Sequence, residues 1–422
     1  MSESRANRDE LLHVLQRAYS AASSPGNGLL ISTLLTGLNP YVLMPECAKS
    51  RTARLVYCNQ ELYLEIDCRA PNLGLDTQKN EGAVLAIGDP IRFLLPREVA
   101  KALEADWQTF SSHQSARKMI HIYLKSIGLP QRVTWKQLSM AAHKELAHYG
   151  AQSVQAWGTD HAVSYCAEPA DTLTLNFNDS AKTLLAEAGI LWKSELVLAP
   201  QRAVGADGIL QADVLSKLLR TLKQRALTSQ QAASQCRSTH NVVTAHNALG
   251  QHAMVLYLLA TGSRHLTKQS LHVGDINSLN HTVQVRQKSR SGYRVLPLAA
   301  VAHEALENYI QHAHAMTGTL AALINPALSG EVPLFQTISI DEQTLMLSTS
   351  LMTASTPIRD LLPHLDLPRN WPRKATLNEL AQHFGETDVV RAFKDHDKID
   401  CCTVAELEPI AAHLNTWLAA ML

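Results

Sequence analysis

The chain is 422 residues long, balances 38 Lys+Arg against 38 Asp+Glu, and is 46% hydrophobic with 5% aromatic residues. That length exceeds one ordinary core and implies two or three domains. The balanced charge excludes a global positive field, so a nucleic-acid site has to be a local patch. Seven scattered cysteines without a CxxC pair or zinc spacing argue for free thiols in a reducing compartment and against a disulfide scaffold or a metal centre.

The polar start MSESRANRDE runs into the first helical pattern, ELLHVLQRAYSAA, so no signal peptide is expected. Next comes the apolar LLISTLLTGLN, with Thr36-Gly37 at its end, then the strand-like RLVYC and ELYLEIDC and the helical REVAKALEADWQTF. The stretch Ala199 to Gly208 leads to a basic helix, Asp213 to Leu227, and the polar run TSQQAASQ. Residues 191 to 234 hold six Lys/Arg against three Asp/Glu, with Lys217, Arg220, Lys223 and Arg225 largely opposite a leucine stripe. This reads either as a solvated face or as a helix touching a nucleic-acid backbone. In the second half MVLYLLATGSR, HTVQVRQ, YRVLPL and HEALENYIQHAHAM predict a helix, two strands and a helix. The whole reads as α+β, mainly helical. The expected domains are 1–190, a helical connector over 191–240, and 241–422. No apolar run approaches the ~20 residues of a membrane span, so a cytoplasmic protein without a membrane partner is expected.

Four anchors recur in the same order. Thr36-Gly37 pairs with Thr261-Gly262, and Leu95-Pro96 with Leu296-Pro297. His148-Tyr149-Gly150 pairs with His383-Phe384-Gly385, and Asp160-His161 with Asp395-His396, each ten residues further on. The pattern predicts a degenerate tandem duplication.

In the second half the motifs become specific. Thr261-Gly262-Ser263-Arg264 ends a helix; Lys288 lies in a hairpin with Arg294 entering Val295-Leu296-Pro297; Asn370 and Arg373 sit in NWPRK. Gly385 lies 12 residues after Arg373, and His396 lies 23 after it. In order and spacing, Gln251 to Ala412 resembles the catalytic domain of the tyrosine recombinases (phage integrases). The resemblance implies that Arg264 and Arg373 clamp a phosphate with forked donors, that Lys288 protonates a leaving oxygen, and that His396 holds or shuttles a proton. Arg286, Lys288, Arg290 and Arg294, four cations within nine positions, form the densest basic patch. With Asn370, Lys374, Lys217 and Arg220 they are the expected DNA contacts. Taken singly, Arg264 fits equally well as a helix C-terminal cap and the hairpin cations as a solvated loop.

The departures are equally definite. Asn370 stands where the family has histidine and Asp395 where it has glycine, and no tyrosine follows Tyr309, so the expected nucleophile near Ala405 is absent. In the first half the positions matching Arg264 and Arg373 are Asn39 and about Leu138, leaving only His161 among active-site residue types. The sequence therefore predicts a DNA-binding, recombinase-derived protein, without cofactor or metal, that does not cleave DNA alone. Its expected partners are duplex DNA or a recombination intermediate, and a catalytically complete recombinase or other proteins of a mobile element. Two alternatives stay open: an integrase using a nonstandard or partner-supplied nucleophile, and a protein–protein scaffold that keeps the fold.

Overall fold

The computed structural model describes residues 6–38, 43–44, 53–58, 61–66, 79, 83–85, 91–148, 167–193, 203–205, 208–263, 270–286, 293–341, 343–384, 389–390, 393 and 403–422. The chain forms two compact units, Met1–Asn72 with Ala86–Asp207, and Leu73–Leu85 with Gly208–Leu422. Both are mainly helical with small antiparallel sheets.

The first unit is built around α2 (Asn27–Thr36), all ten of whose residues are buried. Its leucines and Ile31 fall on every side and its polar residues are small, so it has no charged face to turn to solvent. Helix α1 (Arg8–Ser20) starts in a capping box, Asn7 accepting from the Glu10 N–H at 2.8 Å. The start of α2 is capped from a distance. Asp106 of α3 (Arg97–Thr109) is buried and accepts the Gly26 and Leu29 N–H groups at 2.7 and 2.9 Å. Burial raises the Asp106 pKa, and backbone hydrogen bonds from Gly26, Leu29 and Gly28 pull it back down. The two helices nearly touch at Gly28, where a Cβ would lie 2.3 Å from the Ala102 carbonyl carbon. A sheet in the order β1 (Ala53–Cys58), β2 (Glu61–Ile66), β3 (Ile91–Leu94) sets Glu65 opposite both Arg54 and Arg92. Each guanidinium Nε reaches the buried carboxylate at 2.7 Å, which compensates the charge. Helices α4 (His113–Ser126), α5 (Trp135–His148) and α6 (Ala170–Glu187), with the short pair β4 (Ala167–Pro169) and β5 (Ala203–Gly205), complete the unit.

α2 ends at Gly37, whose left-handed φ of 61° favours glycine. Thr36 donates its hydroxyl to the Ser32 carbonyl at 2.7 Å and accepts the Leu38 N–H at 3.3 Å. Helix α5 docks on this turn through Ser139, which donates to the Leu38 carbonyl at 2.9 Å, and through the indole of Trp135, which donates to Thr33 at 2.9 Å.

In the second unit α7 (Ala212–Gln235) lies along α8 (Thr239–Thr261). The helical part of the stretch 191–240 packs by its leucine side: Leu215, Leu218, Leu219, Leu222 and Ala226 of α7 are buried. Their leucine stripe had to find a core, and it finds this one. Residues 83–85 join the same unit, Leu85 donating to the Ile209 carbonyl at 2.9 Å. After α8 come a short antiparallel sheet, β6 (Ile276–Asn277), β7 (Thr282–Arg286) and β8 (Tyr293–Pro297), then α9 (Ala300–His314) and α10 (Gly318–Leu328). A hairpin, β9 (Gln336–Ile340) and β10 (Leu347–Leu351), precedes α11 (Ser355–Leu361), α12 (Trp371–Phe384) and α13 (Val404–Met421). No helix of the described residues is long and apolar enough to cross a membrane.

The central helix α8 carries a buried histidine and a half-buried asparagine, and β9 explains them. His246 Nε2 lies 2.9 Å from the Gln336 carbonyl, so it carries the proton, and 3.3 Å from the Tyr309 hydroxyl. Asn247 donates to and accepts from the backbone of Ile338 at 2.8 and 2.9 Å. The helix thus completes the hydrogen bonding of a strand edge with side chains.

Candidate nucleic-acid interface

α8 ends like α2. Thr261 donates to the Tyr257 carbonyl at 2.8 Å and accepts the Ser263 N–H at 3.3 Å, and Gly262 is left-handed at φ 56°. The next residue is Arg264, which lies outside the described residues, as do Lys288, Arg290 and His396. Arg286 is described for its backbone only, in β7 beside β8.

Three elements meet on this turn. From α12, Arg373 donates Nη1 to the Gly262 carbonyl, and Thr376 donates to the Leu259 carbonyl at 2.7 Å. From β8, the half-buried Arg294 donates Nη1 to the carbonyl of Phe393 and lies 5.9 Å from the centroid of its ring. Phe393 is packed on the turn: a Cβ on Gly262 would lie 3.4 Å from its ring, 3.6 Å from Thr376 and 3.7 Å from Leu377. The start of α12 is anchored by Trp371, whose indole donates to the Ala354 carbonyl at 2.9 Å, and by Asn370, whose carbonyl receives the Lys374 N–H at 3.1 Å. The structure thus gathers Arg373, Arg294 and the residues leading into Arg264 at one end of α8.

Burial qualifies the expected contacts. Arg373 and Lys374 are each only 3% exposed. Lys374, an expected DNA contact, lies in the first two turns of α12, where Trp371 to Leu377 are all buried. Asn370 is half-buried. Lys217, Arg220, Lys223 and Arg225 are exposed along α7, and Arg220 and Arg225 line a depression of 530 Å³ with Thr221, Gln224, Thr228 and Ser229.

Tyr257 belongs to this neighbourhood, and its role was not read from the sequence. Burial pushes its phenol up to about 12; Ser263 and Arg294 lower it and Asp275 raises it. The phenol is thus buried and held in its neutral form. Its place one helical turn before Thr261 was the available signal. In the first unit, Leu138, near the position that the recurring anchors set opposite Arg373, is wholly buried in α5; Asn39 and His161 lie outside the described residues. Among the described residues no group of three His, Cys, Asp or Glu is arranged to hold a metal.

No family model and no curated protein matches the chain. Among solved structures, the chain is similar to the XerH site-specific recombinase bound to its difH substrate in a pre-cleavage complex. The identity is 13%, the match covers 76% of this chain and 87% of that one, and the TM-score is 0.29.

Proposed function

We propose that this protein binds DNA through its second unit, at a degenerate recombinase-type site, and acts as an accessory or regulatory subunit in DNA recombination without cleaving strands itself. The observation that carries this reading is the meeting of Arg373 and Arg294 at the Gly262 turn that leads into Arg264. Guanidinium groups gathered beside a loop that adds another arginine, with a hairpin bearing Lys288 and Arg290 nearby in sequence, suit phosphate recognition. The first unit is read as a copy of the same fold with an emptied site. Supporting this, both units run helix, central buried helix, left-handed Thr-Gly turn, three-stranded antiparallel sheet, Leu-Pro and helix.

The test is binding of the full chain to duplex and branched DNA across a salt series. Binding should weaken steeply with salt, and neutralising Lys288 and Arg290 together should flatten the slope by about two. Absence of binding at low salt would refute the reading. A suicide substrate separates the integrase alternative: a covalent protein–DNA adduct, made alone or with a partner recombinase, would establish cleavage. The scaffold alternative is favoured by one observation, the burial of Arg373 against the main chain. It would be upheld if the chain bound no DNA yet was recovered in a protein complex covering the basic hairpin.

A further inference from the structure

The β9–β10 hairpin has two edges, and the molecule treats them differently. Hydrogen bonds from Asp341 N–H to the Met346 carbonyl (2.9 Å) and from Met352 N–H to the Phe335 carbonyl (3.1 Å) fix which residues pair inward. With the register Leu347↔Ile340 to Leu351↔Gln336, the alternation turns the backbone groups of Gln336 and Ile338 outward on β9, and those of Leu347, Thr349 and Leu351 outward on β10. On β9 those groups are met by His246, Tyr309 and Asn247. On β10, among the described residues, the outward N–H and C=O groups of Leu347, Thr349 and Leu351 meet no partner. The three central residues of the strand are exposed.

An open edge of this kind is a template for another strand, and proteins guard against pairing with charges, proline or bulges. The segment Leu347-Ser348-Thr349-Ser350-Leu351 has none of these. It is also a palindrome. Antiparallel pairing of the strand with itself about a twofold axis at Thr349 sets Leu347 against Leu351, Ser348 against Ser350 and Thr349 against Thr349, each residue facing its own kind. Such pairing is isologous and closed, and it puts no like charges opposite each other. Each pair of outward residues would exchange two main-chain hydrogen bonds.

We infer that β10 is a copy-to-copy interface: two molecules join antiparallel along Leu347–Leu351, about a twofold axis at Thr349. The inference concerns assembly and stands apart from the DNA-binding reading, since it needs no nucleic acid and none of the arginines.

The test is sedimentation of the full chain over a range of concentrations without DNA, with three variants at the axis. Wild type should show a reversible monomer–dimer equilibrium. Thr349→Cys should, on mild oxidation, give a dimer linked through position 349 in both copies, identified by peptide mass spectrometry. Thr349→Pro removes an N–H that the hairpin does not use, so the melting temperature should hold while dimerisation weakens roughly tenfold to hundredfold. If proline disturbs the hairpin and lowers the melt, Thr349→Lys, which sets two ammonium groups face to face, gives the same reading without touching the backbone. A chain monomeric at every concentration overturns the inference. So does a dimer indifferent to Thr349→Pro and Thr349→Lys, or one that does not cross-link at position 349. A monomer that takes up an extended peptide along β10 would assign the edge to a foreign strand and also overturn it.

Discussion

His246 ties the core of the second unit to pH. It is wholly buried, and burial lowers its pKa from 6.5 to about 3; the hydrogen bond to Gln336 raises it somewhat and His312 lowers it further. The folded pKa lies below the unfolded one, so the unfolded chain binds the proton first. The stability contributed is therefore full above about pH 6.5 and is lost as pH falls toward about 3. Within that window the loss approaches about 1.4 kcal/mol per pH unit for one histidine. His252, lowered by burial to about 4 with Lys223 adding to the effect, runs in parallel. Two pH units below 6.5 then remove roughly 5 kcal/mol, which is comparable with the whole stability of an ordinary domain. His246→Gln keeps a neutral N–H donor near Gln336 but does not titrate. Urea unfolding followed by circular dichroism from about pH 4.5 to 7.5 should give the variant a slope of stability against pH shallower by one proton. A variant slope equal to that of wild type would refute the assignment of His246 as a buried neutral donor.

Two further expectations concern the first unit. Asp106→Ala strips the Gly26 and Leu29 N–H groups of their acceptor and should lower stability by about 2–3 kcal/mol, while Asp106→Asn recovers part of it; thermal melts read both. Gly28→Ala forces a Cβ onto the backbone of α3 and should destabilise by about 2 kcal/mol or more, although alanine favours helix elsewhere. An unchanged melting temperature would show that the two helices are not in backbone contact.

What the sequence made legible was local. LLISTLLTG and MVLYLLATG read as apolar helices followed by Thr-Gly, and both are buried helices that end at left-handed glycines. The strands flanking the basic hairpin followed from HTVQVRQ and YRVLPL. The β9–β10 hairpin was missed although QTISI holds three β-branched residues, because LSTSL holds only one and one edge is completed by side chains of a helix some ninety residues earlier. Asp106, Glu65 and His246 were invisible for the same reason: a charged or polar residue in an amphipathic pattern reads as solvent-facing until its distant partner is known. Lys374 was named as a DNA contact, and nothing in NWPRK showed that Trp371 to Leu377 are all buried.

The two Thr-Gly turns bear on what Arg373 is for. In the first unit, α5 closes on the turn with a neutral pair, Leu138 buried and Ser139 donating to the Leu38 carbonyl. In the second unit, α12 closes on it with Arg373 donating to the Gly262 carbonyl, beside the equally buried Lys374. In the first unit a small hydroxyl closes the turn, whereas the second unit buries two cations beside its own turn, each with further partners. If those charges exist to meet phosphate, replacing them with the first unit's solution should separate the two roles. The double variant Arg373→Leu, Lys374→Ser should fold, with a melting temperature near wild type, and should lose most of its DNA affinity and part of its salt slope. If it unfolds, and Arg373→Lys unfolds too, the guanidinium is holding the turn, and the scaffold reading gains at the expense of the DNA-binding one. If it folds and still binds DNA with the wild-type salt slope, the contact lies elsewhere, on the hairpin cations or the exposed basic face of α7.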